Sequence, residues 1–219
     1  MKLKRGVCRA FLRGQLDPGS LLSLLELRKA LNDCDTVLDV GCGSHSPLHW
    51  FEARRSVGID GHQPSLDQAQ KSGTHHEFIC EDIRRLEHQF SGGQFDCCIA
   101  LDVIEHLKKA DGFKLMEAME KVARRKVIFF TPNGFLPQTH ATQDDLQEHM
   151  SGWQKEEMEQ RGYRVIGMLG PKSWRGEFHR IRFRPRGLWS LAGFVLHFCW
   201  TRFRPQSSAA LLCVKEVSH

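Results

Sequence analysis

The sequence predicts an α/β fold, an open and mostly parallel sheet with helices on both faces. Three observations carry this reading. Short runs rich in valine, isoleucine and phenylalanine recur along the 219 residues and alternate with segments of helical spacing. One run, Phe95–Leu101, is apolar almost throughout, as a strand covered on both faces must be. The run Thr36–Val40 passes directly into Gly41-Cys42-Gly43, a turn whose glycines let backbone approach a ligand closely.

Taken in order, Leu21–Leu31 has the spacing of a helix that packs against a sheet edge. Strand one is Thr36–Val40. A first crossover helix is expected over about Pro47–Arg55, its free N–H groups facing a ligand. Strand two is Ser56–Asp60, and a helix over Pro64–Lys71 is stopped by Gly73. Strand three is about His76–Cys80 and strand four Phe95–Leu101. The helix Ala110–Ala123 turns Leu115, Met119 and Val122 to the core. Strand five, Lys126–Thr131, ends at Pro132-Asn-Gly134, and a polar loop runs from Pro137 to Ser151. A helix over Trp153–Arg161 leads to strand six, Tyr163–Leu169, and Ala209–Val217 is the seventh strand. The chain reads as one domain. Residues 1–33 are a helical lead-in, 34–170 the core, 171–207 an insertion and 208–217 the last strand.

Composition narrows the class. Eight cysteines occur without a C-x-x-C pair, the usage of a reducing compartment, so a cytoplasmic protein is expected. The basic N-terminus (Lys2, Lys4, Arg5, Arg9, Arg13) is followed by no apolar run of signal-peptide length, and reads as a solvated lead-in. The net charge of +5 is concentrated: residues 171–207 hold eight Lys/Arg against the single acid Glu177. That segment, not the whole surface, is what the charge has to explain.

Asp39 sits at the end of strand one, where a carboxylate needs a polar or cationic partner; a ligand ammonium would serve. Asp60 ends strand two, 21 residues beyond Asp39, where folds of this type bind a ribose diol. A dinucleotide pattern G-x-G-x-x-G fails at its third place, Ser46. These residues alone leave a nicotinamide-dependent oxidoreductase open as an alternative.

The full set is more specific. Asp39-Val-Gly-Cys-Gly43, Asp60, Glu81-Asp82-Ile83 and Phe95-Asp-Cys-Cys-Ile-Ala-Leu-Asp-Val-Ile-Glu-His106 resemble the class I S-adenosylmethionine-dependent methyltransferases, nearest to their type 11 group. The resemblance is strong over about 34–135. It departs at His45, which stands where the family has its third glycine. It implies a Rossmann-like, seven-stranded sheet whose last strand inserts antiparallel between strands five and six. It also implies S-adenosyl-L-methionine as cofactor. Asp39, Gly41, Cys42 and Gly43 would hold the methionine end, and Asp60 with Gly61 the ribose. Asp82 and Ile83 would meet adenine, and the Leu101 carbonyl the ammonium. For Asp82 the alternative is a plain cap on a short helix.

Methyl transfer from a sulfonium is an in-line displacement, helped most by positioning and dryness. A base is needed if the acceptor is a hydroxyl. His106, at the carboxyl end of strand four, is the first candidate and His140 the second. Glu105 and His106 are adjacent, ~100° apart on a regular helix, so no metal site is expected. The acceptor is read as a small or lipid-linked molecule, its methylated atom an oxygen. A catalytically inactive cofactor-binding scaffold is the further alternative.

The segment 171–207 sharpens the acceptor question. Arg180, Arg182, Arg184 and Arg186 alternate with Ile181 and Phe183, and Leu188–Trp200 follows as an apolar run. It falls short of the ~20 residues that span a bilayer. It reads as a peripheral membrane contact through 171–204, as a lid over the acceptor, or as an ordinary buried helix. Nucleic acid is disfavoured, since Leu101-Asp-Val-Ile replaces the tetrapeptide of DNA-methylating relatives and no RNA-binding module is present.

Overall fold

The computed structural model describes residues 1–136, 148–176 and 181–218. The chain opens with a short strand β1 (Lys2–Leu3) and helices α1 (Gly6–Leu12) and α2 (Pro18–Ala30). The side chain of Asp17 caps α2, accepting from the N–H groups of Gly19 and Ser20. Contrary to the expected solvated lead-in, α1 buries Val7 and Ala10. Val7 belongs to the same cluster as the buried leucines of α2. α2 also begins three residues earlier than periodicity indicated, because Asp17 and Pro18 form its start.

β2 (Thr36–Val40) leads to the largest departure from the sequence reading. The expected helix from Pro47 is a single 3₁₀ turn, Pro47–Trp50, and the chain then straightens into β3 (Phe51–Glu52). Ser46 and Pro47 do provide a helix start. Pairing of Phe51 and Glu52 with Leu3 and Lys2 then takes the next residues into an extended backbone. Leu22, Leu24 and Leu27 of α2 join Val37 and Leu48 in covering this face of the sheet.

β4 (Arg55–Asp60) and α3 (Gln63–Ser72) follow, α3 ending at Gly73 in the left-handed region, φ 59°. β5 (Glu77–Cys80) starts one residue later than expected, leaving His76 off the strand, and His75 before it is buried. Next come α4 (Leu86–Gln89), β6 (Phe95–Leu101), α5 (Lys109–Val122), β7 (Ala123–Pro132), α6 (Lys155–Gln160) and β8 (Arg164–Pro171). α7 (Arg186–Cys199) and β9 (Ser208–Glu216) complete the order.

Seven strands form one sheet in the order β5-β4-β2-β6-β7-β9-β8. β5, β4, β2, β6 and β7 pair in parallel, and β9 lies antiparallel between β7 and β8, as the resemblance implied. Each face carries its own core. Cys98, Leu115, Met116, Phe129 and Trp153 lie in one cluster, and Cys97, Ile99, Ile128 and the α2 leucines in the other. The adjacent cysteines thus face opposite sides.

The segment between β8 and β9 is an arm folded over one end of the sheet. α7 packs on α2 and β8 with small and polar residues, Ser190, Gly193 and His197 being buried. A Cβ on Gly170 of β8 would lie 3.2 Å from the Gly193 Cα, so both glycines serve this close approach. His197 stands 3.5 Å from the buried carboxylate of Glu26, which also meets Lys29 at 2.7 Å and Arg202. Burial alone would raise the Glu26 carboxyl; His197, Lys29 and Arg202 outweigh it and hold it at about 2. This ionic knot fastens the arm to α2.

Candidate active site

The carboxyl ends of β2, β4 and β6 open onto a hollow of about 1070 Å³. This is the rim where open α/β sheets take ligands. Gly41, Cys42, Gly43, Asp60, Gly61, Asp82, Ile83, Leu101 and His106 all line it, so nine sequence-named residues converge on one space. The glycine turn is built for proximity. Gly41 and Gly43 have φ of 70° and 55°, which other L-residues rarely adopt. A Cβ on Gly41 would come within 2.7 Å of Val103, whereas one on Gly43 would meet nothing within 4 Å and project into open space.

Asp60 locks the turn. Its Oδ2 accepts from the Gly43 N–H and its Oδ1 from the His62 N–H, both at 2.8 Å. A carboxylate accepts more than two hydrogen bonds, so capacity for a diol remains. Asp39, expected to hold the methionine end, is placed apart from these nine. It is buried and does not line the hollow; Ser46 Oγ donates to its Oδ2, as does His75 Nε2 at 3.0 Å. Polar partners for it come from the chain itself. Cys42 is buried beneath, its thiol pushed well up by burial and by the neighbouring Asp39 and Asp60. Asp82 does cap the 3₁₀ turn Ile83–Arg85, accepting from the Arg84 N–H at 2.9 Å. The Arg84 guanidinium grips the same carboxylate and holds it below its ordinary range.

At the end of β6 the backbone is strained. Asp102 has φ 54°, a left-handed value that a non-glycine residue holds only against a cost. Asp102 is exposed to the hollow; the low-dielectric protein around it pushes its carboxyl up to about 7, against the hydrogen bond from Glu105. Glu105 is buried, accepts from Thr131 Oγ1 at 2.9 Å, and is raised well above the ordinary range by burial and the Asp102 charge. His106, beside it, donates from Nδ1 to the Glu148 carbonyl at 3.2 Å.

Sequence reasoning missed His149. Its ring centroid lies 4.8 Å from that of His106, and it too lines the hollow. Candidate ligand atoms of Glu105, His106 and His149 fall within 4.8 Å of one another. The objection that adjacent residues point apart holds for a regular helix; Ile104–His106 is an isolated 3₁₀ turn left by an extended Leu107. His140 lies outside the described residues.

A second hollow, about 1030 Å³, opens on the other side of the β6 end. His45, Leu101 and Asp102 line both, so the two hollows meet there. The walls of the second are largely apolar, with Leu24, Leu27, Phe130, Met168 and Leu212, while Arg175 and Arg186 stand among them. The N-terminal turn of α7 forms one wall. Residues of the arm thus wall the second hollow.

Residues 38–131 match the family model described as a methyltransferase domain. No curated protein sequence matches the chain. Among solved structures, the methyltransferase domain of a bacterial Hen1 protein (CtHen1) is 18% identical, with 90% of this chain and 98% of that chain covered and a TM-score of 0.55. A SAM-dependent methyltransferase from Archaeoglobus fulgidus is 15% identical over 89% and 93%, TM-score 0.56. Haemonchus contortus phosphoethanolamine N-methyltransferase 2, in complex with phosphomonomethylethanolamine and S-adenosylhomocysteine, is 15% identical over 93% and 54%, TM-score 0.57. At these identities the likeness is one of fold.

Proposed function

We propose, for a chain whose residues 38–131 match a methyltransferase domain, that the methyl group of S-adenosylmethionine passes to the oxygen of an amphiphilic, anionic acceptor presented at a membrane surface. The enzyme class and the cofactor are the premise; acceptor and residue roles are the proposal. The hollow fits the cofactor on its own terms. Its volume reaches the upper end of ligand sites, ~300–1,000 Å³, and the space above Gly43 is one that a Cβ would fill. When bound, the cofactor supplies an electrophilic methyl on a positively charged sulfur.

The chain's own residues divide the work. Gly41, Cys42 and Gly43 present backbone to the methionine end. Asp60, beside Gly61, receives the ribose hydroxyls. Asp82 and Ile83 border the adenine, and Leu101 offers its carbonyl to the ammonium. Asp39, through Ser46 and His75, keeps the turn in register. His106 stands at the rim where the acceptor's reacting atom enters, and Asp102 lies between the two hollows.

One observation carries the acceptor class: the second hollow is apolar, holds Arg175 and Arg186, and joins the first at Leu101 and Asp102. Such a space suits an apolar body with an anionic group. The outward face of α7 extends the argument. Leu188, Leu191, Val195 and Phe198, at helical spacing, are 61%, 53%, 58% and 46% exposed, and Phe203 beyond the helix is 71% exposed. Arg182, Arg184, Arg186 and Arg204 flank this stripe. An apolar stripe edged by guanidiniums matches the interface of an anionic bilayer. No helix among the described residues is long and apolar enough to cross a membrane, so the contact is peripheral.

The test is incubation of cell extract, separated into lipid, water-soluble and RNA fractions, with enzyme and methyl-deuterated cofactor. Label is expected in the lipid fraction. Label confined to RNA or to the water-soluble fraction refutes the acceptor class. In parallel, the chain should sediment with anionic vesicles at low salt, and the pair Leu191→Glu, Val195→Glu should abolish that. Equal sedimentation of the pair removes the membrane arm of the reading.

A further inference from the structure

Resting on the methyl-transfer reading above, we propose that Glu105, His106 and His149 bind one divalent first-row transition ion, which holds the acceptor's reacting oxygen. The three candidate ligand atoms lie within 4.8 Å of one another; Glu105 and His149 are buried and His106 is half-buried. Two imidazole nitrogens and one carboxylate oxygen suit Mn²⁺, Fe²⁺, Co²⁺ or Zn²⁺. Mg²⁺ and Ca²⁺, which seek oxygen, are poorly served by them. Bonds of ~2.0–2.2 Å place the donors roughly 3–3.5 Å apart, so the side chains draw in by about 1 Å when the ion binds. Three protein ligands leave coordination positions for water or an acceptor oxygen, and all three residues line the cofactor hollow.

The chain goes to some length to hold His149 there. The N–H groups of Met150 and Ser151 both donate to the Glu105 carbonyl, at 2.8 and 3.0 Å. Ser151 Oγ donates to the Ile104 carbonyl at 3.1 Å. The segment after the loop is thereby stitched to the turn that carries Glu105 and His106.

The hydrogen bonds also select the tautomer. His106 Nδ1 faces the Glu148 carbonyl at 3.2 Å and His149 Nδ1 the Leu136 carbonyl at 2.7 Å. A carbonyl only accepts, so each Nδ1 carries the proton, and in a neutral ring Nε2 is then the lone-pair atom. Backbone carbonyls orient ring nitrogens in this way behind the histidine ligands of metals. Thr131 meanwhile holds one Glu105 oxygen, Oε2. The competing account is two histidines packed edge to face over a buried acid, with no ligand.

Mn²⁺ binding to the full chain, followed by loss of the free-ion paramagnetic resonance signal, separates the two accounts. His106→Asn and His149→Asn each keep an amide N–H for the facing carbonyl while deleting Nε2. The wild type is expected to bind about one Mn²⁺ per chain at this site, displaced by Zn²⁺, and each variant to bind it at least ~10-fold more weakly, with thermal melts like the wild type's. No binding of Mn²⁺, Co²⁺ or Zn²⁺ by the wild type overturns the proposal, as does equal affinity in both variants. S-adenosylhomocysteine calorimetry runs alongside: its failure with the wild type sinks the methyl-transfer reading, while the Mn²⁺ titration still decides the ion.

Discussion

The two glycines of the turn after β2 should fail in different ways when each is changed to alanine. Both have positive φ, 70° at Gly41 and 55° at Gly43. Left-handed backbone costs an L-residue roughly 1–2 kcal/mol, common to both variants. Only Gly41→Ala adds a clash, its Cβ falling 2.7 and 2.9 Å from the two Val103 methyls. Overpacking of this kind costs ~1–3 kcal/mol, so Gly41→Ala should lose about 2–5 kcal/mol and Gly43→Ala about 1–2. At ~2–4 °C per kcal/mol for a domain of this size, melting falls by roughly 4–20 °C in the first case and by ~2–8 °C in the second. Binding should rank the other way. The Gly43 methyl enters the space proposed for the cofactor, so its S-adenosylhomocysteine affinity should drop the more steeply. Val103→Ala should rescue the stability of Gly41→Ala and do nothing for Gly43→Ala. Equal melting points, absence of rescue, or wild-type affinity in Gly43→Ala would each refute the reasoning.

Three further outcomes are expected. Asp60→Ala removes the acceptor proposed for two hydroxyls, each charge-assisted bond being worth ~1.5–3 kcal/mol; calorimetry should show S-adenosylhomocysteine binding weakened by ~100-fold or more. Glu26 is held at about 2, below its ordinary 4.5, so its contribution is complete above 4.5 and is lost as pH falls towards 2. Melting of the wild type should therefore drop more steeply across that window than melting of Glu26→Gln, and parallel slopes would show that the arm's ionic knot carries no stability. Lys109 donates to the Gly152 carbonyl, pairs with Glu157 at 2.7 Å and lies 3.8 Å from the Trp153 ring centroid. Lys109→Ala should cost ~1–3 kcal/mol by chemical denaturation, and an unchanged midpoint would contradict that.

What the sequence revealed, and what it hid, follows the range of the interactions involved. β2 and β6 were legible because burial on both faces leaves a continuous apolar run, and the glycine turn because positive φ restricts the residue type. The partner of Asp39 was hidden because His75 lies 36 residues away and carries no local signal. The helix expected after Pro47 lost to pairing with Lys2 and Leu3, a contact no window around Pro47 contains. His149 was invisible because backbone bonds from Met150 and Ser151, not a spacing motif, bring it to His106. α7 is the sharpest lesson. The run Leu188–Trp200 gave no sign of which side would be covered: Leu188, Leu191, Val195 and Phe198 are exposed, and the buried side is Ser190, Gly193 and His197, because a close approach to β8 needs small residues.

The arm over the second hollow also has closely placed roots. Pro171 and Ser208, on either side of it, are register partners in the β8–β9 ladder, so thirty-six residues leave and return at neighbouring points of a formed hairpin. Doubling the length of such an excursion adds only ~0.6 kcal/mol of closure entropy. The arm can therefore behave as an exchangeable cassette. A lineage, or a designer, could cut at that stem and splice in another segment, rebuilding the walls of the second hollow and the exposed face of α7 while the glycine turn after β2 stays as it was.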